Sequence, residues 1–307
     1  SPVADLVNGP EQQTVKVPIA LVNSFYRTTD LSTEAECSFP AVARHGATAT
    51  YLPENGQVLI VGGAELAVVN GGPEIRYPRS VELYDPASGT FSPVAELRVG
   101  GARAHHSATY LGEGRVMIAG GESRNQGTLQ SLKSAFIVDA LDPNDVQVGS
   151  DALAMKEART GHMATRLSDG RVVLTGGREL VPGAAGPQDH TYSDTVEVFD
   201  PVEGFFAYVN DAQGNRLTLG GARFGHSATV MAADTEMGAE RLMIAGGMDG
   251  TAPNLSVELL TLMGTGSTLQ GSVSVAADST SVGPIFHASA PFTNEVYPNG
   301  AVLISGG

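Results

Sequence analysis

The sequence predicts an all-β protein built from repeated four-stranded antiparallel sheets. Three observations carry that prediction. A pair of short strands ending in Gly-Gly recurs five times along the chain. The spacing of the pairs is near-regular: their second glycines are Gly63, Gly121, Gly177, Gly247 and Gly307, separated by 58, 56, 70 and 60 residues. Glycine is abundant, at 38 of 307 residues, which suits many tight turns and does not suit long helices. A fixed period with the same strand pattern in each unit marks a repeat architecture.

Each unit opens on a short strand of small residues. The copies read "ARHGATATYLPENGQVLIVGG" (43–63), "ARAHHSATYLGEGRVMIAGG" (102–121) and "ARTGHMATRLSDGRVVLTGG" (158–177). The fourth runs from Ala222 to Gly247 with an insertion, "AADTEMGAE", and the fifth, "GPIFHASAPFTNEVYPNGAVLISGG" (283–307), is degenerate at its start. Asn55-Gly56, Glu113-Gly114, Asp169-Gly170 and Asn299-Gly300 predict hairpin turns after the first strand. The second strands, "QVLIV", "RVMIA", "RVVLT", "RLMIA" and "AVLIS", are continuously apolar. Such strands are covered on both faces, so the sheets are expected to stack.

A third strand follows a loop of variable length. It reads "SVELYDP" (80–86), "TVEVFDP" (195–201) and "SVELL" (256–260), with a weaker version, "SAFIVDALDP", at 134–143. Asp85-Pro86 and Asp200-Pro201 lead into turns. Phe91 and Phe206, each seven residues past Tyr84 and Phe199, begin a predicted fourth, outer strand. Four antiparallel strands per unit, repeated radially, describe a blade of a β-propeller.

The Gly-Gly pairs, the "ELYDP" and "EVFDP" strands and the "AR-x-x-H-S-A-T" openings resemble the kelch family, in particular the bacterial and galactose-oxidase-like propellers. The resemblance covers roughly residues 40–307. It implies a kelch-type β-propeller and export from the cell. The family commonly has Trp near the fourth strand; this chain has none, and Phe91 and Phe206 stand in that role. The resemblance also raises a copper-radical oxidase, but Cys37, the single cysteine, and Tyr26, Tyr51, Tyr84 and Tyr110 do not reproduce that pattern.

The last unit has two strands before the sequence ends. "IALVNSFY" and "AECSFPAV", within residues 17–44, supply two candidate strands for the same blade. The expected architecture is therefore five four-stranded blades, the last shared between N- and C-terminal strands, with a single propeller domain over 17–307 and an extension over 1–16. Such closure removes exposed sheet edges. The rival reading is a longer ring, or a ring completed by another chain.

Charge narrows the partners. The chain has 33 Asp and Glu against 18 Lys and Arg, a formal −15, and lysine occurs only at Lys16, Lys133 and Lys156. No basic cluster tracks a phosphate backbone, which argues against nucleic acid. No apolar run reaches the length of a transmembrane segment. The location expected is secreted, periplasmic or cell-surface.

His106, His162, His226 and His287 share one repeat position, filled by Ala47 in the first unit. The expected role is a hydrogen bond to a neighbouring blade's backbone. Arg44, Arg103, Arg159 and Arg223 are expected to pair with backbone or acid between blades. No cofactor is expected from a local motif. Calcium is the one ion with candidate ligands, Asp139, Asp142 and Asp145, although their segment lacks the full loop pattern.

Recognition is expected on the loops that follow the Gly-Gly pairs, at 62–80, 120–134, 176–194 and 246–256. All follow the second strand, so all leave the ring at one end, and loops on a rigid scaffold are where binding resides. Arg76, Tyr77, Arg124, Arg178, His190 and Tyr192 are the candidate contacts. The function expected is a non-enzymatic recognition or scaffolding propeller that binds protein or polysaccharide through this face. The alternatives are a self-assembling subunit of a surface structure and a carbohydrate-active or oxidase-like enzyme.

Overall fold

The computed structural model describes residues 44–98, 100–125, 127–144, 146–149, 153–181, 190–231, 239–264, 269–278, 288–292 and 301–305. Regular structure among the described residues is all strand. The N-terminal strands expected within 17–44 lie almost wholly outside them, as do Cys37, Asp145 and His287.

The first unit contains β1 (Thr48–Leu52), β2 (Gln57–Val61), β3 (Glu65–Val69), β4 (Gly72–Arg76), β5 (Ser80–Asp85) and β6 (Thr90–Glu96). Its sheet has the order β1-β2-β5-β6, all antiparallel, while β3 and β4 form a separate hairpin. Gln57 to Val61 is mostly buried, as a strand covered on both faces must be. Tyr84 and Phe91 face each other across β5 and β6 with ring centroids 4.6 Å apart. The outer strand expected at Phe91 is therefore present.

The second unit contains β7 (Ser107–Gly112), β8 (Arg115–Ala119), the hairpin β9 (Glu122–Asn125) and β10 (Thr128–Ser131), then β11 (Ser134–Asp139), β12 (Gln147–Val148) and β13 (Leu153–Ala154). Here the outer strand is split: β12 and β13 pair with opposite ends of β11. Glu113 and Gly114, at φ 54° and 71°, make the two-residue turn between β7 and β8.

The third unit repeats the plan with β14 (Met163–Arg166), β15 (Val172–Thr175), the hairpin β16 (Arg178–Leu180) and β17 (His190–Tyr192), then β18 (Val196–Asp200) and β19 (Phe205–Tyr208). Phe199 and Phe206 reproduce the Tyr84–Phe91 pair at 4.8 Å. The fourth has β20 (Ser227–Val230), β21 (Glu240–Ala245), β22 (Ser256–Met263) and β23 (Gln270–Asp278). A final hairpin, β24 (Ala288–Phe292) and β25 (Ala301–Ser305), follows.

The first strands of successive sheets lie side by side: β1 against β7, β7 against β14, β14 against β20 and β20 against β24. This is a propeller-like arrangement. Three apolar cores fill the spaces between sheets. Leu59, Leu83, Ile118 and Phe136 belong to the first, Met117, Leu174 and Phe199 to the second, and Val198, Leu242 and Leu260 to the third.

The repeated Gly-Gly explains how the sheets come so close. A Cβ on Gly176 would stand 2.3 Å from the carbonyl oxygen of Arg223 and 2.7 Å from the His226 ring, both of the next unit. Gly177 then donates its N–H to that same Arg223 oxygen at 2.8 Å. Gly63 to Arg103 and Gly121 to Arg159 repeat the bond at 2.8 and 2.9 Å.

The repeated histidines bridge sheets, but through side chains rather than the backbone expected. Nε2 of His106 lies 2.8 Å from Thr48 Oγ1, that of His162 2.8 Å from Ser107 Oγ, and that of His226 2.9 Å from Thr175 Oγ1. Burial drives the His106 pKa down to about 3 and holds His162 well below the usual range; the nearest arginine of each unit adds to the effect. A neutral imidazole is what the hydroxyl bond and the dry surroundings favour.

The repeated arginines correct an expectation. Their guanidinium groups hold each unit together internally, and their main-chain carbonyls link to the preceding unit. Arg159, fully buried, donates to the Gly176 carbonyl at 2.7 Å, to Thr195 Oγ1 at 3.0 Å and to Glu197 at 2.5 Å. Arg44 pairs with Glu82, and Arg223 with Glu258, at the same register. The reason is direction: the guanidinium runs under its own Gly-Gly toward the start of the third strand, where the glutamate sits.

Candidate functional site

Antiparallel order places the start of strands one and three, and the end of strands two and four, at the same end of every sheet. The hairpins β3–β4, β9–β10 and β16–β17 rise from that end, because each joins strand two to strand three. The variable loops of the first three units are thus β-ribbons. The fourth is a compact turn in which Asp249 Oδ1 accepts the N–H groups of Thr251 and Ala252 at 2.8 and 2.9 Å.

The six residues expected to make contacts all lie on this face, in unequal positions. Arg76, on β4, is exposed and 3.6 Å from Glu74. Arg124, on β9, is exposed and donates to the Gly127 carbonyl of its own turn at 3.0 Å. Tyr77 is half-buried and donates its hydroxyl to Glu122 at 3.4 Å. Burial and the Glu122 carboxylate push the Tyr77 phenol up to about 12, so it stays a donor.

Arg178 and Tyr192 are brought together around Phe224, with His190 beside Tyr192. The Arg178 guanidinium lies 4.5 Å from the Phe224 ring centre, and the Tyr192 ring 5.5 Å from it. The His190 and Tyr192 rings are 6.2 Å apart. Tyr192 also covers Gly250, where a Cβ would fall 2.2 Å from the ring. These contacts hold the third hairpin down on the fourth unit's loop. The second hairpin joins them: Leu180 N–H donates to Ser131 Oγ at 3.0 Å.

Two functional candidates were missed in the sequence reading, His45 and His105. The residue before the repeated histidine position is Gly46, His105, Gly161 and Gly225 in turn, and all four have φ between 54° and 65°. They form a main-chain relay across the units. His105 N–H donates to Gly46 O at 2.8 Å, Gly161 N–H to His105 O at 3.1 Å, and Gly225 N–H to Gly161 O at 3.0 Å. The His105 ring is laid over Gly46 and stands 5.8 Å from the His45 ring. Both histidines are exposed. The aligned quartet "ARHG", "ARAH", "ARTG", "ARFG" carried the signal, since one of four glycines is replaced by histidine.

The aspartates considered for calcium lie elsewhere. Asp139 Oδ1 accepts the Leu141 N–H at 3.1 Å, and Asp142 Oδ1 accepts the Asn144 N–H at 2.9 Å. Both cap turns at the opposite end of the second sheet, and Asp145 is outside the described residues. Among the described residues no group of three or more His, Cys, Asp and Glu side chains is arranged to hold a metal ion. Also among them, no helix is long and apolar enough to cross a membrane.

No family model matches the chain, and no curated protein matches it. A solved structure of YjhT is similar to it, with a TM-score of 0.55 and 15% identity over 81% of this chain and 70% of that one. At that identity the likeness shows the fold alone, a β-propeller-like array of antiparallel sheets.

Proposed function

We propose that this chain is a non-enzymatic recognition or scaffolding propeller that binds protein or polysaccharide through the hairpin face. The observation that carries the reading is the three β-ribbons raised from one end of three successive sheets. Their cationic and aromatic side chains stand on a scaffold whose repeated histidines and arginines are engaged in holding the sheets. We read the domain as residues 17–307, with an extension over 1–16, in five kelch-like blades. The hairpin β24–β25 supplies half of the last blade and N-terminal strands the other half. Placement outside the cytoplasm, as a secreted, periplasmic or cell-surface protein, belongs to the same reading.

The test removes the first two ribbons and keeps the sheets. Residues 66–75 and 123–130 are each replaced by a Gly-Gly turn, and retention on immobilised polysaccharides and purified surface proteins is measured. Loss of retention with unchanged thermal unfolding supports the reading. Turnover of a glycoside or of an alcohol by the parent protein overturns it in favour of an enzyme. An obligate oligomer in solution favours the structural subunit of a surface assembly.

A further inference from the structure

We propose that the centre of the hairpin face is a glycan site, in which His105, His45, Glu122 and Arg178 bind the hydroxyl groups of a neutral sugar residue. The proposal rests on the recognition reading above and names its ligand class.

The first argument is strain without a structural cause. The relay through Gly46, His105, Gly161 and Gly225 is made of main-chain N–H and C=O groups alone. It needs a backbone at positive φ and no side chain. Three units use glycine, for which that region is free, and the second unit places an L-residue there at φ 54°. Backbone strain of this kind concentrates at functional sites. The imidazole it presents is not spent on the joint; it lies on Gly46, exposed, beside His45.

The second argument is the set of groups around that ring. Glu122 offers a carboxylate held by the Tyr77 hydroxyl at 3.4 Å. Arg178 offers donors in one plane, steadied against Phe224 at 4.5 Å. Each imidazole offers one donor and one acceptor when neutral. Sugar hydroxyls both donate and accept, so a mixed, pre-positioned set of donors and acceptors suits them, and pre-positioning reduces the entropy lost on binding.

The third argument is charge. Desolvation of the packed side of the His105 ring holds it below the ordinary histidine pKa; Glu122 opposes this, and His45 and Arg178 reinforce it. Arg178 and Glu122 offset each other in charge beside the ring. The whole chain carries −15, which disfavours an anionic ligand. A neutral sugar fits this balance better than a uronate or an acidic peptide.

The experiment is calorimetric titration of the full chain with cellohexaose, xylohexaose, mannohexaose and maltohexaose, alongside an oligogalacturonate and a poly-glutamate peptide. One neutral oligosaccharide is expected to bind. His105→Gly is expected to weaken it at least tenfold while raising the thermal midpoint, and Glu122→Gln and His45→Ala to weaken it with the midpoint unchanged. Should His105→Gly not fold, His45→Ala gives the same reading. The proposal is overturned if no neutral oligosaccharide binds, if only the charged probes bind, or if the histidine variants bind as the parent does. Binding lost on shortening β3–β4 but kept in both histidine variants sinks this site and leaves the hairpin-face reading standing. Binding of an oligosaccharide unaffected by either change overturns both.

Discussion

In the fourth sheet the buried Arg223 reaches Glu258; in the second, the buried Arg103 lies over the ring of Phe136, at the same register position. The two arginines start from the same place, beneath a Gly-Gly pair, and must both satisfy their donors away from water. Neutral acceptors are among the partners of Arg103. It donates to Gly101 O at 2.9 Å, Gly120 O at 3.0 Å, Ser134 O at 2.9 Å and Ser134 Oγ at 3.0 Å, and stands 4.6 Å from the Phe136 ring centre. Carbonyl and hydroxyl acceptors together with a π cloud facing the guanidinium offset part of the cost of burying it.

The glutamates have a second task that Phe136 cannot perform. Glu258 accepts the Gly220 N–H at 2.8 Å, and Glu197 accepts those of Lys156 and Glu157 at 2.8 and 3.1 Å. Each thus ties the incoming connection to its sheet. In the second unit the connection closes on itself instead, Gly101 N–H donating to Arg98 O at 2.8 Å. The comparison teaches that the repeat preserves the arginine's coordination, while the group opposite it is free to change.

The sharpest break is Glu258→Leu. It leaves Arg223 with carbonyl and hydroxyl partners, and is expected to cost about 3–5 kcal/mol in denaturant unfolding. Glu197→Leu is expected to cost less, because Glu157 stands 3.3 Å from Arg159. Equal losses in the two variants would mean that Glu157 does not substitute.

Acid acts on the joints between sheets rather than on the arginines within them. The folded-state pKa of His106 lies near 3, below its unfolded value, so the unfolded chain takes up the proton first. The stability that His106 contributes is full above about pH 6.5 and drains as pH falls toward 3. At pH 5 the loss is about 2 kcal/mol for this residue. His106→Gln is expected to flatten the fall in unfolding free energy between pH 7 and 5; an unchanged slope would refute the assignment.

Phe136→Leu tests the ring itself. It keeps an apolar side chain of similar bulk and removes the π face, and is expected to cost about 1 kcal/mol. Were the loss absent, hydrogen bonds alone would suffice for Arg103. The smallest effect has the opposite sign. His105→Gly relieves the positive φ and is expected to stabilise by about 0.5 kcal/mol, a left-handed penalty partly offset by glycine's greater unfolded entropy. Destabilisation would show that the imidazole is structural.

Much of the fold was legible because period-2 strands, Asn-Gly turns and Gly-Gly pairs are local signals. The outer strands at Phe91 and Phe206 were found from spacing alone, and the structure adds that the two rings pair with Tyr84 and Phe199. The hairpins β3–β4, β9–β10 and β16–β17 were read as irregular loops, since "ELAVVNGGPEIR" and its counterparts differ in length and composition between units. The site was half legible. Arg178, His190 and Tyr192 were named but not Phe224, the anchor of Arg178 and Tyr192, and His105 was passed over because its neighbour His106 claimed the repeat position.

By itself the sequence determined the number of Gly-Gly units, the strand order within each and the positions of the recurring Arg and His. Those follow from short-range chemistry: alternation, turn residues and the lack of a Cβ. Tertiary structure alone decided what each polar group would meet. Whether a histidine finds Thr48, Ser107 or Thr175 depends on which atoms adjacent sheets bring within 3 Å. That distance is set by stacking across about 50 to 60 residues of chain, and no local pattern encodes it.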